Sequence, residues 1–407
     1  MTKRLFLDTD SPLSGVPMRK TITALAALTV TASALADYAF YGVLDDAVYQ
    51  ESKVTATSTA SKILATKQNK MFSAKDNSRF GVKGDKEFND GLKGIYQFEV
   101  QLDQNGTTLF GNNRTAWVGL EGKAGAVRLG NMDTLVYNVF SAMDVNGRVE
   151  YKPQLWRYIN GSFVESTSLV DYSDRTRNTL NYTSPAFNGF VGKLVKAYAA
   201  TSNNANNAQN TGVTSTGTLT TANGKNGQMS GYAVHYDQGP VAARVVRETW
   251  VATGMNGPFS TNLQGANASA SSLFVAPSLT DKLKREVNAI TYDLGVAKLS
   301  IIQANAKLAD NYVKTTTYGI KVPVGEFSFA ADFGTGTYSG TTVGTTTNYL
   351  NTGKLKDTTL GGYYTLNKEA TLYLLNSSGK NEQLASGTAY TTPGTQKFSA
   401  LGINYKF

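Results

Sequence analysis

One histidine, His235, stands among 407 residues, and there is no cysteine. A serine or threonine nucleophile needs a base beside it, and a structural or catalytic metal needs several clustered ligands. No second histidine and no pattern of carboxylates accompanies His235, so neither a hydrolase nor a metal centre is expected, and no cofactor. The stretch GTGTYSG, residues 334–340, lacks the Lys-Ser/Thr that completes a phosphate cradle between a strand and a helix. Charge is present instead as single residues: 39 Lys and Arg against 30 Asp and Glu, a formal net charge of +9. No basic run marks a nucleic-acid footprint. Chemistry of this kind is electrostatic, and it depends on the elements that present each charge to water.

Those elements follow a period of two. The terminal segment ALGINYKF, residues 400–407, sets Leu401, Ile403 and Tyr405 on one side, and Ala400, Gly402, Asn404 and Lys406 on the other. Alternation of this kind defines a strand with one apolar face. Elsewhere Tyr232, Val234 and Tyr236 oppose His235 and Asp237. Tyr318, Ile320 and Val322 oppose Gly319 and Lys321, and Phe327, Phe329 and Phe333 oppose Ser328 and Asp332. Ile290, Tyr292 and Leu294 are expected to oppose Asn288, Thr291 and Asp293. In YAFYGVLDD, in ATLYLLN and near Trp117 the alternation leaves the faces open. About sixteen strands are expected, in eight hairpins joined by seven short turns such as Asn89-Asp90-Gly91. The alternate connections are long and polar, as at 202–228 and 334–356, and all lie on one side.

The start of the chain bears on which solvent meets the apolar face. From Met18 it reads MRKTITALAALTVTASALADYAF: two basic residues, a short apolar core, then Ala34-Leu35-Ala36. This is the pattern of an export leader, residues 1–36, with residues 1–17 an extended basic region or a start placed too far upstream. Elsewhere no apolar run reaches the roughly 20 residues of a spanning helix. An exported protein without disulfides or such a helix is periplasmic, secreted or an outer-membrane β protein. In hydrocarbon only helices and closed barrels satisfy their backbone hydrogen bonds, so strands with a lipid face must close, the last on the first. About sixteen strands make a ring too wide to be filled by its own side chains, which leaves an aqueous channel. The expected fold is all-β, a transmembrane antiparallel barrel over residues 37–407, with short periplasmic turns and long extracellular loops.

DYAFYGVLDDAV, NSRFGVKGDKEFNDGLKGIYQFE, NRTAWVGLEGKAGAVRLGN, NTLNYTSPAFNGF and the closing INYKF together resemble the Gram-negative general porins of neisserial and burkholderial type. The resemblance implies a homotrimer of 16-stranded barrels whose third extracellular loop, here about residues 131–174, folds inward to constrict the pore. By motif position, Arg79 of SRFG and Arg114 of NRTAWVGL match the basic wall of that constriction. Arg177, on the same side as Thr179 and Asn181, is a candidate third member, and Arg128 a fourth. On the loop the acidic candidates are Asp133, Asp144 and Glu150. The chain departs from the family pattern at Asn131 and Asn181, where relatives carry Arg, and lacks the PEFGG loop tip. The implied function is passive diffusion of ions and small hydrophilic solutes, with a mild anion preference from the basic excess. A channel specific for a sugar, phosphate or dicarboxylate is the alternative. Outer-membrane lipid and lipopolysaccharide are the implied partners, with no nucleic acid.

Overall fold

The computed structural model describes residues 37–56, 63–72, 74–88, 90–103, 109–147, 155, 159, 175–198, 212–213, 219–220, 228–251, 282–308, 311–343, 348–385 and 394–407. The expected leader, Glu150 and most of the later part of the 131–174 loop fall outside them. In chain order the strands are β1 (Asp37–Ala56), β2 (Ile63–Phe72), β3 (Arg79–Glu87), β4 (Lys93–Leu102), β5 (Phe110–Gly122) and β6 (Gly125–Asp133). Helix α1 (Leu135–Met143) follows, then β7 (Arg175–Thr183), β8 (Phe190–Ala197), and the two-residue partners β9 (Gly212–Val213) and β10 (Leu219–Thr220). The rest is strand: β11 (Met229–Gln238), β12 (Val241–Val251), β13 (Lys282–Asp293), β14 (Lys298–Leu308), β15 (Asn311–Val324), β16 (Phe327–Val343), β17 (Asn348–Thr365), β18 (Ala370–Ala385) and β19 (Gly394–Lys406).

Each long strand pairs antiparallel with its neighbours, β8 passes directly to β11, and β19 returns to β1 with Val43 opposite Lys406. The sheet has no edge. β1 is shared lengthwise, since β3 pairs with Asp37–Val43 and β2 with Ala47–Ala56. Without β2 and the short β9–β10 pair, sixteen strands complete the ring, as the alternation predicts. Tight turns join them at one end. Phe88 N–H donates to Leu92 O (2.8 Å) across one such turn, where Asp90 and Gly91 take positive φ of 53° and 78°.

The registers stack the outward residues of β15, β16 and β17 in rows. Counting from the turns, Val324 aligns with Phe327 and Tyr364, Val322 with Phe329, Ile320 with Ala331 and Leu360, and Tyr318 with Phe333. These four rows cover about 20 Å of strand, at roughly 3.3 Å per residue. Their side chains are mostly exposed and apolar, which is costly in water and favourable in lipid. Among the described residues no helix is long and apolar enough to cross a membrane.

The faces left open by the alternation are now assigned. In β1, Leu44 and Val48 point out, and Asp45, Ala47 and Tyr49 are buried on the inner side; in β18, Leu372 and Leu374 point out. Asn404 is likewise inside, donating to Asp45 (2.9 Å). Two expectations are corrected. The stretch 334–356, expected as a polar connection, is mostly strand, since β16 runs to Val343 and β17 begins at Asn348, Thr and Gly pairing across the sheet there. Asn288 lies on the outer face with Ile290 and Tyr292, two residues above the apolar rows, and accepts from Arg247 at 3.0 Å. A spacing of two residues preserves the face, so Asn288 cannot sit with Thr291. On the inner face, three tyrosines lie over cross-strand glycines: Tyr41 over Gly81, Tyr338 over Gly353, and Tyr373 over Gly402. A Cβ at any of the three glycines would meet the ring.

Candidate functional site

After β6 the chain leaves the wall and turns into the lumen. Thr134 caps α1, its hydroxyl accepting from Tyr137 N–H at 3.2 Å, which satisfies one of the donors left open in the first turn. The apolar side of α1 buries Leu135, Val136, Val139, Phe140 and Met143. They pack with inward residues of β11 to β14, among them Val246, Trp250, Val287, Ile302 and Ala304. Full burial of each large side chain contributes about 1.5–3 kcal/mol. The inner wall is therefore apolar where the loop covers it.

Three wall carboxylates hold the loop down. Glu248 of β12 accepts from Val136 N–H (3.0 Å) and Trp250 Nε1 (3.2 Å), and forms a fully buried ion pair with Arg285 of β13. Arg285 also stacks on the Trp250 ring, 4.9 Å from its centroid. Further along, Asn146 Nδ2 donates to Asp332 of β16 (2.5 Å), and Tyr363 of β17 donates to Asn146 Oδ1 (2.7 Å). Leu155 N–H donates to Asp357 of β17 at 3.0 Å. A loop crossing a water-filled ring needs such anchors, because its backbone groups are otherwise solvated and unconstrained.

Half-way round the ring is the basic wall. Arg79 and Arg114 converge on Glu99 of β4, at 3.4 Å and 2.5 Å, and Arg79 also holds Asp76 at 2.6 Å. Tyr41 donates to Glu99 (3.1 Å) and receives Gln97 Nε2 (2.6 Å), which fixes the carboxylate between the two guanidinium groups. Asn131, where the family resemblance leads to an expectation of Arg, donates to the Arg114 carbonyl (2.9 Å) and so braces the arginine that is present. At the root of the loop Asp133 pairs with Arg175 (2.9 Å), whose guanidinium lies 5.3 Å from the Tyr137 ring centroid.

The candidates from sequence are thus distributed unequally. Arg79 and Arg114 come together around Glu99. Arg177 is half-buried on β7, two residues beyond Arg175, beside a bulge where Asn178 takes φ of 51°. Arg128 sits apart, nearer the tight turns, with its guanidinium 5.2 Å from the Trp117 ring centroid and donating to Thr183 at 3.2 Å. Of the acids, Asp133 engages Arg175, whereas Asp144 folds back on its own loop to accept from Asn146 N–H at 2.9 Å. Glu150 lies outside the described residues. Sequence reasoning missed Glu99, Arg175 and the wall anchors Glu248, Asp332 and Asp357. Strand parity could have found Glu99, since Gln97, Glu99 and Gln101 alternate, but not Arg175, because the bulge at Asn178 shifts the register and puts Thr176 instead on the side of Thr179.

A closed antiparallel ring of sixteen strands, with a lipid-compatible exterior and a loop folded into its lumen, defines a porin-type outer-membrane barrel. The chain belongs to the Gram-negative porin family, whose model matches residues 22–405. Among curated relatives, the major outer membrane protein P.IB of Neisseria lactamica is 27% identical over 187 residues, which is 44% of this chain and 49% of that protein. P.IA of Neisseria meningitidis serogroup A is 27% identical over 220 residues, covering 50% and 53%. The chain spans about half the length of these curated relatives. Among solved structures, the anion-selective porin from Comamonas acidovorans superposes with a TM-score of 0.65 at 20% identity, covering 91% of this chain and all of that one. OmpT of Vibrio cholerae gives 0.57 at 14% identity. At such identities the likeness is one of fold.

Proposed function

We propose that the protein is a water-filled channel of the outer membrane through which ions and small hydrophilic solutes diffuse passively, with a mild preference for anions. The observation that carries this reading is the pair Arg79 and Arg114, held by Glu99 and Asp76 on the inner wall half-way round the ring from a loop pinned to the other wall. Asp76 and Glu99 together balance the two guanidinium groups, so the anion bias rests on the basic excess of the whole chain, and opposed polar surfaces across a narrow wet passage create a transverse field. Screening over about 8–10 Å near physiological salt keeps the preference modest. Export through a leader at residues 1–36 and assembly as a homotrimer, embedded among outer-membrane lipid and lipopolysaccharide, complete the proposal; the family membership supports them.

The test is planar-bilayer recording of the purified protein under a salt gradient. Conductance steps in groups of three and a reversal potential of anion-selective sign are expected. Absence of conductance would overturn the channel reading. Saturable conductance, blocked by one sugar, phosphate or dicarboxylate, would replace general diffusion with a specific channel.

A further inference from the structure

Two pairs of cations in the lumen are held in different ways. Arg79 and Arg114 are held by carboxylates, Asp76 and Glu99, which cancel their charge. Lys75 and Lys321 are held by a ring: their ammonium groups lie 5.6 Å and 5.1 Å from the centroid of one tyrosine, Tyr363 of β17. An aromatic face attracts a cation through its quadrupole and leaves the charge uncancelled. Tyr363 is itself fixed, buried on the inner face and donating to Asn146 of the inward loop at 2.7 Å. Lys75 reaches this place by an excursion of the chain. β2 ends with Phe72 opposite Ala47 and β3 begins with Arg79 opposite Val43, so residues 73–78 stand against only 44–46 of β1. The surplus turns inward, where buried Asp45 accepts from Ala74 N–H (2.8 Å) and Lys75 N–H (3.0 Å).

Lys321 faces Lys298 directly across the sheet, and like charges opposed on one face of a sheet are destabilising. Lys406 of β19 stands near enough to repel both Lys75 and Lys321. The nearby acids are engaged elsewhere: Asp76 with Arg79, Asp45 with its backbone donors, and Asp293, opposite Lys298, with Gly295 N–H at 2.8 Å. Among the described residues no carboxylate pairs with Lys75, Lys321 or Lys406. Positive charges gathered against their own repulsion are a place for a counter-charge, and a doubly charged anion gains about twice the Coulomb energy of chloride there. We propose that Lys75, Lys321 and Lys406 form a site on the inner wall, near the tight-turn end of the lumen, for a small doubly charged oxyanion, phosphate or a dicarboxylate. Each ammonium supplies up to three donors to such a ligand. The site rests on the water-filled lumen proposed above, and it retains a divalent anion in passage without excluding other solutes.

The experiment titrates the purified protein calorimetrically, in zwitterionic detergent at low ionic strength and about pH 8, with inorganic phosphate, succinate and acetate. Phosphate and succinate are expected to bind about tenfold more tightly than acetate. K75Q/K321Q is expected to weaken both divalent anions about tenfold, and K75R/K321R to restore them. Lys321→Gln alone, which leaves the excursion of residues 73–78 untouched, is expected to weaken them about threefold, so the outcome does not hang on the folding of the double variant. Lys196→Gln, which alters an outward lysine on β8, is expected to change nothing. Equal affinity of wild type and K75Q/K321Q would overturn the proposal, as would acetate bound as tightly as succinate. Binding of phosphate without succinate, or the reverse, would support the site and restrict its ligand to that oxyanion. Bilayer conductance in chloride reads the channel separately: its absence from every protein, with phosphate binding intact, would strike the channel reading and leave the lysine site standing.

Discussion

The wall around β3 to β7 and the wall from β12 to β17 use the same residue types in opposite ways. Around β4 the ionic groups border the lumen: Glu99 receives two arginines, Arg114 is almost buried beside it, and Arg79 retains a side-chain exposure of 20%. Between β12 and β13 the ion pair of Glu248 and Arg285 has no exposed surface at all. It lies beneath α1, and one of its carboxylate oxygens is used by the helix backbone. An ion pair beside water can act on passing ions, while one sealed under apolar side chains acts on the chain itself. The difference separates charges that set selectivity from charges that set the position of the constriction.

The sharpest way to break this contrast is Glu248→Ala. It leaves Arg285 buried without its carboxylate and removes the acceptor of Val136 N–H, a loss of about 3–5 kcal/mol. A lower thermal midpoint and noisy, enlarged single-channel conductance are expected, with little change in the sign of the reversal potential; unaltered conductance would mean the helix is held by its apolar face alone. Arg114→Gln tests the other wall. Arg114 is almost buried against Glu99, 6% exposed, and loss of its charge there is expected to shift the anion-to-cation permeability ratio about two- to fivefold toward cations. Its pore size is expected to persist, and a change in size without a change in ratio would assign Arg114 to the scaffold. The smallest effect is expected from Asp144→Asn, since Asp144 serves a turn of its own loop: stability within about 0.5 kcal/mol and a reversal potential displaced less than by Arg114→Gln.

Alternation made the barrel legible because lipid and lumen impose opposite polarity on adjacent residues, and the seven tight turns carry their own signatures in residues such as Asp90 and Gly91. Arg79 and Arg114 were legible through the motifs around them. The docking of the loop was not. Its anchors Glu248, Asp332 and Asp357 sit on inner faces where a carboxylate is ordinary in a wet lumen, and no spacing distinguishes a solvated acid from one that holds a backbone amide. A trace existed nonetheless: Ile301 and Ile302, adjacent on β14, are apolar on both faces, which a wall with water inside does not require. Such doubling signals that something dry covers the inner surface. Asn288 went astray because its polarity suggested the lumen, whereas its parity places it on the outside.

The tyrosines laid over Gly81, Gly353 and Gly402 have a hydraulic consequence. A phenol lying along the wall adds only the thickness of a ring to it, whereas one standing upright would project its whole length into the stream. Bore is therefore set partly by a residue that has no side chain: a single methyl group at Gly81 would lever the half-buried Tyr41 ring toward the axis and throttle flow for cations and anions alike, whereas the rings over Gly353 and Gly402 are buried in packed clusters.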